Sequence, residues 1–335
     1  LCAHIPANVS DESAAFTVIG AIAMQGIRLA SLSIGETVAV FGVGLIGLIT
    51  VQLLLAQGCK VLALDFDAKK LKMAEAYGAT TFNLSGKVDA VAYGMAFSSG
   101  LGVDAAIITA ATKSNEPISQ AAQMSRKRGR IILVGVVGLS INRSDFYKKE
   151  LTFQVSCSYG PGRYDPMYED KGIDYPFGFV RWTEQRNFGA VLDVMSNGSL
   201  IVDGLISHRF DLHSAADAYE VMSSGREVLG IMMEYNSDRL DRHQTSKQLA
   251  PPSLKKTSAS KVKVGMLGAG NFGVRKLIPA FKKAGAELVS IASSQGSSAA
   301  IHGGRAGFLQ ATSDSNAVIK SSSLNTIVVS TRHDS

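Results

Sequence analysis

The stretch VAVFGVGLIG, residues 38–47, joins an apolar run to three glycines spaced G-x-G-x-x-G. The run predicts a buried strand, and the residues after the glycines predict a helix. In this context Gly42 permits a tight turn, Gly44 lets a pyrophosphate approach the backbone, and Gly47 allows close helix packing. The phosphates would bind backbone N–H groups at the start of the helix. The contacts expected at this first site are Gly42, Gly44, Leu45, Ile46 and Gly47.

The ribose of such a nucleotide would lie at the end of the next strand. Asp65 closes the run KVLALD and follows Gly47 by 18 residues. A carboxylate at this place accepts both ribose hydroxyls and repels a 2′-phosphate, which favours NAD over NADP. The alternative role for Asp65 is to cap the next helix, alone or with Asp67. Lys70 either reaches the same ribose or stays solvated on that helix.

A second copy of the pattern, VKVGMLGAGNFG, occupies residues 262–273. Its next strand ends in IASSQ, residues 291–295, without a carboxylate. Serine hydroxyls can hydrogen-bond either a ribose or a 2′-phosphate, and the next basic residue is Arg305. The second site is therefore expected to take NAD or NADP. Its expected contacts are Gly268, Gly270, Asn271, Phe272, Gly273 and Ser293.

Apolar runs alternate with helical patterns along most of the chain, and this alternation predicts parallel sheets. The fold class is therefore α/β, with two Rossmann-type doubly wound parallel-sheet units, the second of them truncated. The expected strands before residue 150 are 37–41, 60–65, 104–109 and 130–136. The expected helices there are 13–30, 45–57, 68–77 and 116–125. After a loop at 158–179 we expect helices at 185–197 and 214–224, the second N-capped by Ser214, and strands at 205–210 and 228–234.

The net charge of +6 is concentrated in one segment. Between Asn236 and Lys263 there are seven Lys or Arg against two Asp, together with adjacent prolines. No aromatic residues interleave with these charges, so a basic, flexible linker over 237–261 is favoured over a nucleic-acid surface.

The chain has three cysteines, Cys2, Cys59 and Cys157, which are far apart in sequence. Without C-x-x-C or H-E-x-x-H motifs, neither a metal site nor a disulfide scaffold is predicted, and a reducing, cytoplasmic location fits. The uncharged stretch from Thr37 to Cys59 is long enough to span a membrane. It is interpreted instead as a buried strand and helix, because it contains the three glycines of the turn.

These features resemble a known family. Segments including GETVAVFGVGLIGL, KVLALDFDAKKLKMAEAYGA and GRIILVGVVG are similar to the cofactor-binding half of zinc-type medium-chain alcohol and polyol dehydrogenases, over about residues 9–235. From residue 262 onward, VGMLGAGNFGVRKLIPAF resembles the start of the glucose–fructose oxidoreductase and inositol dehydrogenase family. The order of the two modules resembles fused dehydrogenases of surface-polysaccharide gene clusters.

The resemblance implies five segments. Residues 1–30 would be a remnant and connecting helix of a catalytic domain, 31–157 the NAD-binding domain, and 158–236 an insertion and return segment. Residues 237–261 would be the linker and 262–335 a partial second Rossmann domain. The resemblance also places the nicotinamide near the backbone of three residues, Val134, Gly135 and Val136.

The implied function is an NAD(P)-dependent oxidoreductase acting on a sugar, polyol or alcohol. The alternatives are a zinc-independent quinone or enoyl reductase and a non-catalytic nucleotide-binding module. Zinc is doubtful, because the family's zinc-binding domain is absent and Phe16-Thr17-Val18-Ile19-Gly20 stands where a further ligand often lies. No catalytic residue can be assigned, so these 335 residues are expected to bind cofactor without turnover. The expected partner is a small-molecule substrate, with neither nucleic acid nor membrane, and a homo-oligomer is possible.

Overall fold

The computed structural model describes residues 2–86, 88–224, 228–235, 245–249 and 261–331. The chain divides into two compact units, residues 1–235 and 236–335. No helix among the described residues is both long and apolar enough to cross a bilayer.

The first unit is built on a parallel six-stranded sheet. Its strands are β1 (Thr37–Phe41), β2 (Lys60–Asp65), β3 (Thr80–Asn83), β4 (Val103–Ile108), β5 (Ser125–Leu133) and β6 (Thr152–Val155). They lie in the order β3-β2-β1-β4-β5-β6, with parallel pairing throughout. This is the strand order of a dinucleotide-binding doubly wound sheet, with the reversal of order beside β1.

Helices cover both faces of this sheet. The helices of the first unit are α1 (Asp11–Ala14), α2 (Thr17–Ala30), α3 (Leu45–Ala56), α4 (Ala68–Ala76), α5 (Ala90–Phe97), α6 (Glu116–Met124), α7 (Arg143–Tyr147), α8 (Pro166–Glu169), α9 (Glu184–Ser196) and α10 (Ala215–Ser223). Along β1, Val38 and Val40 belong to the hydrophobic cluster on one face, whereas Ala39 and Phe41 belong to the cluster on the other. A strand buried on both faces has to be apolar throughout, which explains the uncharged stretch identified in the sequence.

Two further strands, β7 (Ile206–Asp211) and β8 (Gly230–Glu234), pair in parallel as a separate small sheet. The region between β6 and α9 is mostly turns and contains the short helix α8, as expected for residues 158–179.

The Asp104 carboxylate links the amino-terminal ends of three neighbouring strands through hydrogen bonds. Asp104 Oδ2 accepts hydrogen bonds from the Thr37 N–H at 2.8 Å and from the Thr37 hydroxyl at 2.9 Å. Arg126 Nε donates to Asp104 Oδ1 at 2.6 Å. The side chain of Asp104 therefore joins β1, β4 and β5 near their amino-terminal ends, opposite the end of the sheet that carries the glycine turn.

The second unit repeats the pattern on a smaller scale. Its strands are β9 (Ser246–Gln248), β10 (Lys263–Leu267), β11 (Glu287–Ala292), β12 (Gln310–Thr312) and β13 (Thr326–Val329). The sheet order is β13-β10-β11-β12-β9, parallel except for β9, which is antiparallel to β12. A π-helical turn over Gly273–Leu277 leads into α11 (Ile278–Lys283), followed by α12 (Ser297–Ala306) and α13 (Ser315–Ile319). The two sheets confirm the predicted α/β class with Rossmann-type units.

Strand β9 lies within the segment that the sequence predicted to be a flexible linker. Most of the expected linker, 237–261, lies outside the described residues, but residues 246–248 form a strand, so a linker throughout this range is wrong. The outer side of β12 offers backbone groups that need partners. The Leu249 N–H donates to the Leu309 carbonyl at 2.8 Å, and the Leu249 side chain packs against the core of the second unit.

Candidate nucleotide-binding sites

The turn after β1 has no room for side chains at two of its glycines. Gly42 has a φ of 87°, and a Cβ built there would lie 2.8 Å from the backbone of Ala110. A Cβ built on Gly47 would lie 2.0 Å from the Gly42 carbonyl oxygen. The Thr109 hydroxyl, at the end of β4, donates to that carbonyl oxygen. The turn is thus held tightly against β4 and the start of α3.

Gly44 has different surroundings. A Cβ built on it would meet no heavy atom within 4 Å, and its φ is −66°. Gly44 is also the N-cap residue of α3, so the helix N–H groups next to it have no intrahelical acceptor. Its missing side chain leaves a space directly beside these donors and the positive end of the helix dipole. Leu45 and Ile46, the first helical residues, supply the N–H groups that were predicted to bind a pyrophosphate.

Asp65 is held in a defined orientation at the end of β2. Its Oδ2 accepts from the Val43 N–H at 2.7 Å, and its Oδ1 accepts from the Asp67 N–H at 2.9 Å. Each carboxylate oxygen can accept a further hydrogen bond. The capping of α4 belongs to Asp67, whose Oδ1 accepts from the Lys69 N–H at 2.9 Å.

Lys70 lies in the first turn of α4 and pairs with Asp67, with Nζ 3.3 Å from Oδ2. Partial burial alone would raise the pKa of the Asp67 carboxyl, but hydrogen bonds from Lys69 and Lys70 outweigh it and lower this pKa. Lys70 is therefore beside the predicted ribose position, with its charge directed to a neighbouring carboxylate.

A cleft of about 460 Å³ opens between these groups. Of the predicted residues, Gly42, Gly44, Asp65 and Lys70 line it. The lining also contains residues that sequence reasoning missed: Phe66, Thr109, Ala110, Ala111, Thr112, Ser114, Glu116, Pro117 and Gln120. Phe66 directly follows Asp65, and its ring is 67% exposed. An exposed aromatic ring after the strand-end carboxylate is the one signal that could have indicated this wall from sequence.

The predicted nicotinamide segment lies at the end of β5. A Cβ on Gly135 would be 2.2 Å from the Ala110 carbonyl oxygen, so this chain segment runs against the end of β4. The Val136 N–H donates to that carbonyl oxygen at 3.0 Å, and the Val136 carbonyl accepts from the Thr112 N–H at 2.8 Å. Val134, Gly135 and Val136 thus neighbour the lining residues without lining the cleft themselves.

The turn of the second unit repeats the steric pattern. Gly268 has a φ of 101°, and a Cβ on it would lie 2.6 Å from the Ser330 carbonyl oxygen. A Cβ on Gly273 would lie 2.3 Å from the Met266 side chain, whereas nothing lies within 4 Å of one on Gly270. Asn271 and Phe272 are exposed at the turn.

The serine after the second strand of this unit has a local role. Ser293 Oγ accepts a hydrogen bond from the Ala299 N–H at 3.1 Å. Its hydroxyl hydrogen stays available to a ligand, but Ser293 lacks the charge that Asp65 brings to the first site. Arg305, in the last turn of α12, is exposed.

Metal-binding groups are scattered. Across the described residues there is no cluster of three or more His, Cys, Asp or Glu side chains that could hold a metal ion. Cys2 and Cys157 are exposed, and Cys59 is buried. Burial, followed by the charges of Glu36 and Asp104, raises the pKa of the Cys59 thiol. A protonated, enclosed thiol is a poor metal ligand.

Residues 46–170 match the family model described as zinc-binding dehydrogenase. Among curated proteins, the probable D-xylulose reductase A of Neosartorya fischeri is 25% identical over 237 residues, which cover 68% of this chain and 58% of the reductase. The chain thus spans little more than half the length of the curated relatives it matches. The first unit is thus similar in sequence to zinc-type dehydrogenases.

Two solved structures have a similar fold. The alcohol dehydrogenase TADH from Thermus sp. ATN1 is 24% identical, with a TM-score of 0.57 over 69% of this chain and 60% of its own. A putative zinc-binding dehydrogenase from Sinorhizobium meliloti 1021, solved bound to NADP, is 25% identical, with a TM-score of 0.54 over 68% of this chain and 61% of its own. These similarities confirm the doubly wound fold of the first unit.

Proposed function

We propose that residues 1–235 form the cofactor-binding part of a zinc-type medium-chain dehydrogenase, an NAD-dependent oxidoreductase acting on an alcohol, polyol or sugar. The observation that carries the proposal is the Asp65 carboxylate. It is fixed by backbone N–H groups of Val43 and Asp67, beside the open space at Gly44. A strand-end carboxylate next to a glycine turn and a helix N-terminus suits the ribose and pyrophosphate of a dinucleotide.

Each group of residues has a distinct task in this proposal. The N–H groups of Leu45 and Ile46 hold the pyrophosphate, Asp65 accepts the ribose hydroxyls, and the backbone of Val134–Val136 orients the nicotinamide. The cofactor, when bound, supplies hydride transfer, while the protein supplies position and electrostatics. Buried apolar residues behind the turn exclude water from one side of the cleft, because Phe41 and Leu64 lie beneath it.

The choice of NAD depends on charge. The structural relative from Sinorhizobium meliloti was solved with NADP. In the present chain a 2′-phosphate would meet the Asp65 carboxylate, and Lys70, the nearest cation lining the cleft, is paired with Asp67. Bringing two anions together in a partly buried cleft costs binding free energy, so NAD is favoured.

The proposed substrate class comes from the relatives. Their names include a D-xylulose reductase and an alcohol dehydrogenase. We extend to this chain only what they share, the oxidation of an alcohol or the reduction of the corresponding carbonyl. For the second unit we propose a nucleotide site at Gly268–Gly273 that takes NAD or NADP, supported by the open position at Gly270.

Isothermal calorimetry with NAD and NADP tests the first site. We expect NAD to bind about tenfold or more tightly than NADP, since one lost charge-assisted contact changes affinity by this order. The Asp65→Asn variant keeps the shape of the side chain and removes its charge, so it should weaken NAD binding and narrow the difference between the cofactors.

Asp89→Asn is the matched control. Asp89 caps α5 by accepting from the Val91 N–H at 2.8 Å, and it does not line the cleft. Asparagine caps helices about as well, so both affinities should be unchanged. Binding of NADP as tight as that of NAD by the unsubstituted protein would contradict the cofactor assignment.

A further inference from the structure

A second pocket of about 420 Å³ lies among α2, α3 and α9 of the first unit. It shares no lining residue with the nucleotide cleft. Its walls are mostly aliphatic and include Met24, Ile27, Leu53 and Val194. Four of its ten lining residues carry polar groups, namely Arg28, Ser31, Gln57 and Trp182. A concave, largely apolar space of this size is typical of a small-molecule site.

A cation without a carboxylate partner lines this pocket. Arg28, in the last turn of α2, donates from Nε to Asn187 Oδ1 at 2.7 Å, and its Nη2 contacts the Met24 sulfur at 3.1 Å. A thioether is a weak acceptor. Within the part of the chain that the structure describes, no acidic side chain pairs with Arg28, and its Nη1 has no hydrogen-bond acceptor. The guanidinium therefore retains donor capacity on the side of the pocket.

A second guanidinium increases the positive charge at this place. The central carbons of Arg28 and Arg181 lie 3.3 and 3.7 Å from the ring centroid of Trp182, which also lines the pocket. Arg181 likewise forms no ion pair with any described residue. Burial first, and then repulsion by Arg181, lowers the pKa of Arg28 to about 10. Two guanidinium groups thus share one indole ring, and no acidic side chain among the described residues pairs with either of them.

We propose that this pocket binds a small carboxylic acid with a hydrocarbon body. The carboxylate would accept hydrogen bonds from Arg28 beside Trp182, and the hydrocarbon would lie along Met24, Ile27 and Leu53. This site is separate from the nucleotide cleft and does not depend on the function proposed for it.

The aliphatic lining of the pocket, together with the positive charge of Arg28, favours a carboxylic acid with a hydrocarbon body. A neutral hydrocarbon would fill the apolar space and leave the partly buried guanidinium without a counter-charge. A free inorganic phosphate would satisfy the guanidinium but lose its hydration against aliphatic side chains that offer no hydrogen bonds. A monocarboxylate on a hydrocarbon satisfies both requirements, and arginine matches carboxylate geometry well.

The chain contains a single tryptophan, Trp182, so its fluorescence reports on this pocket alone. We would titrate the full chain with octanoate, octanol and inorganic phosphate and follow the tryptophan emission. Octanoate should give a saturable change, and octanol should bind about tenfold more weakly because it lacks the charge. Inorganic phosphate should give no saturable change in the same concentration range.

Three variants locate the site. Arg28→Gln should weaken octanoate binding about tenfold while leaving octanol nearly unchanged. Ala56→Phe, at the exposed end of α3, should fill part of the pocket and weaken both ligands. Arg143→Gln is the matched control, because the Arg143 guanidinium lies over the Tyr147 ring at 4.0 Å and lines neither the pocket nor the nucleotide cleft.

The proposal is overturned if octanoate gives no saturable change, or if octanol binds as tightly as octanoate. It is also overturned if the folded Arg28→Gln variant keeps the octanoate affinity of the unsubstituted protein. Should that variant fail to fold, Ala56→Phe decides: unchanged octanoate binding contradicts the site and weakened binding supports it. NAD affinity measured on the same samples tests the nucleotide cleft separately.

Discussion

The three glycines of the first turn are alike in sequence but differ in what surrounds them. Positive φ and the nearby Ala110 backbone require a glycine at Gly42, and contact with the Gly42 carbonyl requires one at Gly47. Gly44 has an ordinary φ and open space beside it, so only a ligand would need it to be glycine. The spacing predicted all three positions. It could not predict Thr109, whose contact with the turn arises only when β4 pairs with β1.

Adding one methyl group at two of these positions should separate folding from binding. Gly47→Ala should destabilise the first unit by about 1–3 kcal/mol or more, because the added Cβ overlaps a carbonyl oxygen. Gly44→Ala should cost less than about 1 kcal/mol, the scale of an N-cap change. It should nevertheless weaken NAD binding about tenfold, since the methyl group occupies the place proposed for the pyrophosphate. Thermal unfolding and calorimetry measure the two effects.

The two glycine variants are controls for each other, because both replace hydrogen with methyl in the same turn. Equal loss of stability in both would show that Gly44 is needed for folding. Unchanged NAD affinity in Gly44→Ala would contradict the placement of the pyrophosphate.

At the scale of elements, the sequence predicted buried strands well and edge strands poorly. The run KVLALD predicted β2 with its observed bounds, because continuous apolar character marks a strand buried on both faces. The edge strands β3 and β6, TTFN and TFQV, were missed because they are short, partly exposed and without clear alternation. The strand expected at 130–136 instead spans Ser125–Leu133. In its polar first half only Ser125 pairs with β4, opposite Val103, before the register shifts and regular pairing resumes at Arg130.

The start of α10 was predicted at the right residue, but the predicted capping hydrogen bond is not formed. Ser214 precedes α10, yet its hydroxyl makes no capping hydrogen bond. The preceding residues form a 3₁₀ turn over Leu212–Ser214, in which the His213 N–H donates to Asp211 Oδ1 at 2.8 Å. Sequence reasoning identified the N-cap residue type but could not foresee a turn that merges with the helix.

The hydrogen bonds that Asp104 accepts from Thr37 and Arg126 should make the stability of the first unit sensitive to acid. Partial burial alone would raise the pKa of Asp104, but hydrogen bonds from Thr37 and Arg126 outweigh it and lower this pKa. A lowered folded pKa stabilises the fold above the unfolded value of about 3.9, and this stabilisation is lost as the pH falls through the folded pKa. Asp104→Asn should therefore cost about 1–2 kcal/mol at pH 7 and progressively less below pH ~4. Urea unfolding at several pH values measures the difference.

Asp193→Asn is the comparison for this experiment, since Asp193 is exposed on α9 and its side chain makes no hydrogen bond or ion pair among the described residues. It should change stability by less than about 0.5 kcal/mol at every pH. If Asp104→Asn lowered the free energy of unfolding by the same amount at pH 7 and at pH 3, the loss would come from packing and not from the removed charge.

At the scale of the whole molecule, each unit has its own hydrophobic core. The two clusters of the first unit contain no residue beyond Met232, and those of the second contain none before Leu249. The twofold occurrence of the glycine pattern predicted this organisation. The sequence did not indicate that residues 245–249 belong to the second unit, because the segment SKQ has neither the apolar content nor the length of a typical strand.

Separate cores imply that the first unit folds and binds alone. A chain shortened to residues 1–235 should unfold cooperatively and bind NAD with an affinity within about twofold of the full chain. Calorimetry on both chains tests this, and Gly44→Ala in the shortened chain should show the same loss as in the full one. A tenfold weaker affinity of the shortened chain would mean that the second unit contributes to the site.

The antiparallel strand β9 has a consequence for solubility. Without Ser246–Gln248, the outer side of β12 would present unpaired backbone groups, which can recruit a strand from another chain and begin aggregation. The exposed Lys247 lies at the centre of β9, where a charge opposes stacking of a further strand. A second unit produced from residue 262 onward would therefore be prone to self-association, whereas one that includes residues 245–249 would carry its own protection.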